Sequence, residues 1–341
     1  MSTEQPPADV GRVLITGATG LVGAAVARRC VDAGYATRAL VRETSDTAAL
    51  DSLGVEKAVG ALTDAASLVR ACDGVTHVVH CAAKVGDWGP VEDYRRVNVE
   101  GLSSLIDAAL ASGSLRRFVH ISSLGVYEAR DHHGTDETEP PNVSGIDGYT
   151  LTKAEAERLA LDRHSDDGLP VIVLRPGFVY GPEDRTVIPR IAERLRDGKF
   201  AFLGSGDQLM NNVYSENIAE AVMRALAAGD DLNGEVFNVT DGRLVTKQQF
   251  IFAVADGLSL KRPAKHVPLP IARLVAKVLE GSYRLLKKDH APILSQARIK
   301  FLGLNLDFSS EKARKTLGYD PPHDFEDGMA TTMKAMRERL S

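Results

Sequence analysis

The sequence predicts an α/β protein: a doubly wound parallel sheet with a smaller C-terminal lobe. Three observations lead there. Short β-branched runs alternate with helix-period stretches through the first half of the chain. Those runs are apolar throughout rather than alternating, as strands covered on both faces must be. A turn with three evenly spaced glycines joins the first run to the first helix.

The expected strands are "RVLIT" (12–16), "ATRALV" (36–41), "THVVHCA" (76–82), "RRFVHIS" (116–122) and "PVIVLRP" (170–176), with helices such as "GAAVARRCVDAG" and "NVEGLSSLIDAALASG" between them. After about residue 178 the rhythm breaks, and "GSGDQLMNN" reads as a loop. "EVFNVTDG" (235–242) is one more core strand, and "TKQQFIFAVADGL" is a helix with Thr246 as its N-cap. The division that follows is a loose tail over 1–11, a Rossmann-type dinucleotide-binding domain over 12–178 and a mostly substrate-binding lobe over 179–341. A core strand returns near 235–240.

Bulk properties narrow the function. A chain of 341 residues, 44% hydrophobic and 26% charged, has the make-up of a globular enzyme with a large core. Its net charge of -5 argues against nucleic acid, which demands clustered Lys and Arg. Cys30, Cys72 and Cys81 sit in apolar contexts and read as buried thiols of a reducing compartment. "MSTEQPPADVGR" is polar and lacks the features of a signal peptide, and no apolar run reaches the roughly 18 residues that span a bilayer. A cytoplasmic location is the expectation.

Gly17, Gly20 and Gly23 follow the first strand and open the first helix. The first permits a sharp turn, the second lets the backbone approach a pyrophosphate, and the third lets helix pack on strand. The helix N-terminus then offers free N–H groups and a partial positive charge. Thr19, Leu21 and Val22 belong to the same cradle. An acidic residue at the end of the second strand would bind a ribose 2′-hydroxyl. Val41 and Arg42 stand there instead. Arg42 is a planar, permanently charged fork suited to a 2′-phosphate, and Ser45 adds a hydroxyl. NADP(H) is therefore favoured over NAD(H), and no metal is expected.

Tyr149 and Lys153 in "DGYTLTKAEAERLA" lie at i and i+4 on one helix face. A phenol with an ordinary pKa near 10 is a poor acid–base group at neutral pH. A neighbouring ammonium, aided by an oxidised nicotinamide, would bring it toward the working range. The strand "VHISS" ends in Ser122 and Ser123, at the sheet edge where ligands bind.

The three glycines, Ser…Tyr-x-x-x-Lys, "NVEG" and "LRPGFVYGP" together resemble the extended short-chain dehydrogenase/reductase family, over essentially the whole chain. The resemblance implies that Tyr149 passes a proton to or from the reacting oxygen and that Lys153 binds the nicotinamide ribose and lowers the tyrosine pKa. It assigns Ser123 to the substrate oxygen and Asn98 to placing Lys153. It puts Pro176 and Gly177 near the nicotinamide carboxamide, adds Ala82 and Ala83 to the cofactor contacts, and suggests a homodimer through two long helices. Two positions depart from the family pattern. Ala61 replaces an aspartate that contacts adenine, leaving that role to Leu62, and Glu128 replaces a frequent glycine.

Within the family, "AAKVGDWGPVEDY" and "DFSSEKARKTLGYDPP" are similar to the 3β-hydroxysteroid dehydrogenase-like branch and relatives acting on 3-oxo acyl compounds. A small apolar substrate follows, lined by Lys84, Trp88, Ser123 and Tyr149. The stretch 269–288 is amphipathic, with Ile271, Leu274, Val275, Val278 and Leu279 on one face. It reads as a lid or a core-packing helix ahead of a peripheral membrane contact. His132 and His133 read as solvated loop residues rather than metal ligands. The expected activity is NAD(P)(H)-dependent interconversion of a secondary alcohol and a ketone. A nucleotide-sugar epimerase or dehydratase holding NAD tightly is the alternative enzyme, and a non-catalytic dinucleotide sensor the alternative of another class.

Overall fold

The computed structural model describes residues 11–340 apart from Lys287 and Asp289. Of the expected N-terminal tail, residues 1–10 lie outside the described chain. Seven strands form one parallel sheet: β1 (Arg12–Thr16), β2 (Ala36–Val41), β3 (Glu56–Val59), β4 (His77–His80), β5 (Arg117–Ile121), β6 (Val171–Pro176) and β7 (Val236–Val239). Their spatial order is β7-β6-β5-β4-β1-β2-β3. The sheet is the doubly wound arrangement read from the sequence.

Strand β3 was not expected from the sequence. It is four residues long, carries Glu56 and Lys57, and lies at the sheet edge with three of its residues exposed. It therefore lacks the continuous apolar signature of its neighbours. Strands β4, β5 and β6 are buried at every residue.

The helices of eight residues or more are α1 (Leu21–Asp32), α2 (Ala65–Cys72), α3 (Gly101–Ala111), α4 (Gly148–Asp167), α5 (Val187–Arg196), α6 (Ser215–Ala227), α7 (Lys247–Gly257), α8 (Leu269–Leu285), α9 (Gln296–Gly303) and α10 (Phe325–Leu340). One face of the sheet is covered by α1 and α6 through Ala25, Val26, Cys30, Ile218 and Val222. The other is covered by α2, α3 and α4 through Leu68, Leu102, Leu105 and Ala156. A separate core of Ile188, Ile191, Phe250, Phe325 and Met329 joins α5, α7 and α10. Helix α7 starts as expected: the Thr246 side chain accepts from the Gln249 amide while the Gln249 side chain accepts from the Thr246 amide, so two orphan donors are satisfied together.

Several local expectations are corrected. His132 is not solvated. It is fully buried in a short strand (His132–Thr135) paired with Leu306–Phe308, its ring 4.4 Å from that of Phe308. Cys30 and Cys72 are buried, but Cys81 is partly exposed. The loop expected after residue 203 contains a two-residue strand, Leu209–Met210. The apolar face of 269–288 is mostly turned outward: Ile271, Leu274, Val275 and Val278 are exposed and Leu279 is half-buried, while Ala272 and Ala276 are buried. The small alanines let α8 lie close to Leu203 and Ile299, which turns the larger residues away.

Candidate active site

The chain runs outward in both directions from β1, so β2 and β4 flank it on opposite sides. Such a reversal leaves a crevice at the carboxyl ends of the strands. Every expected cofactor-binding segment ends at that edge: the glycine turn after β1, Arg42 after β2, Ala82 and Ala83 after β4, Ser123 after β5, and Pro176 closing β6.

In the turn, Gly17 has φ +72, and a Cβ there would lie 2.8 Å from the Ala82 amide nitrogen. A Cβ at Gly23 would lie 2.2 Å from the Gly17 carbonyl oxygen. Gly20 has no such conflict, its nearest neighbour being 3.3 Å away. It is the N-cap of α1, and among the described residues no side chain caps the first turn. The amides that open α1 are thus left to an outside acceptor, which is what a pyrophosphate requires. Thr19 is exposed and Leu21 and Val22 partly so, at the mouth of the turn.

Arg42 is exposed, and its guanidinium has no partner among the described residues. Its amide donates to Ser45 Oγ at 3.2 Å, so the structure brings the expected pair together. Leu62 is buried against Gly101, where a Cβ would meet it at 2.8 Å. Gly177 approaches the Asn211 carbonyl too closely for any side chain.

Tyr149 sits in the first turn of α4, whose N-cap Asp147 accepts from the Thr150 amide at 2.7 Å. The neighbouring Ser123 hydroxyl acts to lower its phenol pKa. Ser123 Oγ also accepts from the Gly125 amide at 3.0 Å, which fixes its direction. The ammonium of Lys153 donates to the Ile121 carbonyl, immediately behind the two serines. The three expected residues therefore meet at the end of β5.

Their electrostatics differ from the expectation. Burial pushes the Tyr149 phenol up, partly offset by Ser123, and Lys153 does not bring it down. Burial lowers Lys153 itself to about 8. The ammonium is engaged by the Ile121 carbonyl and is costly to keep charged in a dry site. Asn98 likewise does not touch Lys153. Its Oδ1 accepts from the Lys84 amide at 2.7 Å, and its Nδ2 donates to Thr152 Oγ1 at 3.0 Å. It pins the segment after β4 to the residue preceding Lys153, and it stands in a π-turn, Arg96–Glu100, between Val91–Arg95 and α3.

Of the expected substrate-lining residues, Lys84 extends along Asp93 and over the Tyr94 ring. Trp88 packs edge-on to Tyr283, 6.2 Å between centroids, and its indole N–H donates to the Lys288 carbonyl at 2.8 Å. It links the loop after β4 to the end of α8. Asp87 in the same loop pairs with Arg298 at 2.7 Å.

Sequence reasoning missed a polar frame beneath these groups. Ser122 Oγ donates to Glu157 at 2.6 Å, Glu157 pairs with Arg175, and Arg175 donates to the Tyr127 hydroxyl at 2.6 Å, all buried. Removing one partner of such a pair strands a charge and costs about 3–5 kcal/mol. A signal was present. Glu157 is one turn beyond Lys153 on α4, and Arg175 interrupts an otherwise apolar strand. Lys300 of α9 was also missed; its ammonium donates to the Gly125 and Tyr127 carbonyls at 2.7 and 2.5 Å. Below the sheet edge the rings of His80 and His120 stack at 5.5 Å. His80 shares a hydrogen with Thr16 Oγ1, and among the described residues neither ring nitrogen of His120 has a partner.

Comparison with known proteins gives the same picture. The model of a family described as NAD dependent epimerase/dehydratase matches residues 13–240. The chain is 30% identical over 333 residues to a 2-alkyl-3-oxoalkanoate reductase of Shewanella oneidensis, covering 94% of this chain and 85% of that protein. It is 31% identical over 336 residues to a 3-beta-hydroxysteroid dehydrogenase of Mycolicibacterium neoaurum, covering 94% and 90%. The crystal structure of gox2253 superposes with a TM-score of 0.82 at 30% identity, covering 96% of this chain and 98% of that one.

Proposed function

The chain belongs to the NAD-dependent epimerase/dehydratase family, and from that premise we infer that it interconverts a secondary alcohol and a ketone on an apolar substrate, with NADP(H) as the favoured cofactor. The observation that carries this reading is the convergence of Tyr149, Ser123 and Lys153 at the ligand edge of the sheet, with Ser123 acting on the Tyr149 phenol and Lys153 one helical turn away. When bound, the nicotinamide supplies or accepts the hydride. Everything else falls to side chains. In the reducing direction the Tyr149 hydroxyl gives its proton to the oxygen of the new alcohol, and Ser123 donates to that oxygen as charge develops. Lys153 binds the ribose and supports the phenolate left behind. Asn98 holds the loop after β4 against Thr152, so the walls on either side of Lys153 keep their spacing.

The uncapped start of α1 and the free guanidinium of Arg42 fit the pyrophosphate and the 2′-phosphate of NADP(H). The relatives' names support a lipid-like ketone, either a 3-oxo acyl compound or a 3-hydroxysteroid. A homodimer through two long helices and a reducing, cytoplasmic setting complete the reading, the latter supported by three free cysteines.

The test is a panel of 3-oxo acyl acids, 3-hydroxysteroids and nucleotide sugars, run with NADPH and NADH in parallel on wild type and Tyr149→Phe. Turnover of an apolar ketone with NADPH, abolished in the variant while NADPH binding persists, is expected. Full activity in the variant overturns the reading. Nucleotide-sugar turnover without net redox, by protein carrying NAD, moves the chain to the epimerase side of its family.

A further inference from the structure

Apolar side chains in water are ordinary when scattered and informative when gathered. Seven of the eleven large hydrophobic residues exposed among the described residues fall between 271 and 293: Ile271, Leu274, Val275, Val278, Leu285, Leu286 and Ile293. The first four recur at i, i+3, i+4 and i+7, so they form one ridge along α8. Their exposures run from 43% to 65%, and Leu285 reaches 84%. The inner side of the same helix is made of Ala272 and Ala276, seated on Leu203 and Ile299. The ridge thus faces away from the protein's own interior, which excludes its use as the inner face of a lid.

The charges around the ridge have one sign. Arg273, Lys277, Arg284 and Lys288 are exposed beside it. The one acidic residue of α8, Glu280, is turned inward, where it accepts from the Gln296 amide at 2.7 Å. In a chain of net charge -5, the stretch 269–288 carries five Lys and Arg against one Glu.

We propose that the outer face of α8 docks on the surface of a lipid bilayer that carries anionic headgroups. The apolar ridge enters the boundary between headgroups and acyl chains, and the flanking cations stay with the phosphates. A second copy of the chain fits less well, because a two-fold contact along this ridge would set its cations against their own counterparts. The contact lies on the membrane and does not cross it: among the described residues no helix is long and apolar enough to span.

The docked segment is fastened to the rim of the candidate site. Trp88 contacts Tyr283 and the Lys288 carbonyl, Arg284 lies 5.9 Å from the Trp88 ring, and Asp87 of the same loop holds Arg298. This places the cleft mouth beside the bilayer, and a substrate dissolved in lipid would reach Tyr149 without crossing water. That last step rests on the function proposed above; the docking itself does not.

The test is co-sedimentation with extruded vesicles, either pure phosphatidylcholine or phosphatidylcholine with a third of phosphatidylglycerol, at low and high salt. Wild type is expected to pellet with the anionic vesicles and to be released by salt. The triple variant Ile271→Ser, Leu274→Ser, Val278→Ser should bind about a hundredfold more weakly or worse. Arg273→Gln and Lys277→Gln should each weaken binding about fivefold. All variants should turn over a short, water-soluble ketone at the wild-type rate, since none lies in the catalytic cleft. Wild type that stays in the supernatant with both vesicles overturns the proposal, as does a triple variant that pellets undiminished. A wild-type dimer that the triple variant splits, by light scattering, assigns the ridge to a second copy and likewise overturns it. Vesicle binding needs no turnover, so it survives or fails independently of the oxidoreductase reading.

Discussion

Lys300 Nζ lies 2.7 Å from the carbonyl oxygen of Gly125, the residue whose own amide orients the Ser123 hydroxyl. A side chain from the C-terminal lobe therefore braces the turn that aims a catalytic group. The same ammonium acts on Asp147, whose negative charge pushes the Tyr149 phenol up. Lys300→Met is expected to reduce kcat by about tenfold or more, the cost of losing two charge-assisted hydrogen bonds. Cofactor affinity should be unchanged. With Asp147 uncompensated, the tyrosine rises further and the alkaline limb of kcat/KM shifts to higher pH. A variant with lowered kcat but an unmoved profile would confine Lys300 to a structural part.

Cofactor choice can be moved by one residue. Arg42→Asp exchanges a cation for a group that repels a 2′-phosphate and can accept from a 2′-hydroxyl. NADPH affinity should fall about tenfold to a hundredfold, as expected for losing a charged hydrogen bond, while NADH affinity holds or improves. Isothermal titration with both dinucleotides measures this, and equal losses for the two would contradict the assignment.

The three glycines are not equivalent. A methyl at position 23 meets the Gly17 carbonyl at 2.2 Å, whereas one at position 20 has 3.3 Å to its nearest neighbour. Gly23→Ala should unfold the protein or cost it about 1–3 kcal/mol by overpacking. Gly20→Ala should fold nearly normally and lose affinity for the dinucleotide instead. Urea midpoints and dinucleotide titration separate the two effects.

Acid should unfold the protein by way of its buried histidines. Burial lowers His77 to about 4 and His80 to about 3, against 6.5 when free. Below about pH 6.5 the unfolded chain binds protons that the folded chain refuses, so stability falls as pH drops toward 4 and is held above that window. The urea midpoint should decline steadily from pH 7 to pH 4.5. His80→Asn, which keeps a partner for Thr16, should make the decline shallower. A midpoint independent of pH in wild type would refute the account.

What could be read from the sequence divides along physical lines. Strands β1, β4, β5 and β6 declared themselves because both their faces are covered, and that leaves an uninterrupted apolar run. Strand β3 did not, since an edge strand tolerates Glu56 and Lys57. Tyr149, Lys153 and Ser123 were legible as a spacing on one helix and a strand end. Their convergence was foreseeable, but the upward pull of burial on the tyrosine was not, because desolvation depends on neighbours no spacing reveals. His132 misled for the same reason: in an acidic stretch it looked solvated, yet it fills a slot between Tyr127 and Phe308. On α8 the periodicity was right and the direction wrong. An amphipathic pattern says which residues share a face, and only the packing of Ala272 and Ala276 says which way that face points.

The π-turn at Arg96–Glu100 works as a phase adjuster between two incompatible demands. Each residue of a regular α-helix advances the side-chain direction by about 100°, so one surplus residue rotates everything after it by that amount. Within the slip, Asn98 faces Lys84 and Thr152; after it, Leu102, Leu105 and Ile106 face the sheet. Deleting a single residue here would restore a regular helix and force a choice between the two. The hydrophobic set is larger and would win, giving a folded protein whose Asn98 points elsewhere. Length in this segment is therefore under tighter constraint than amino-acid identity, and a one-residue gap would do more harm than most substitutions.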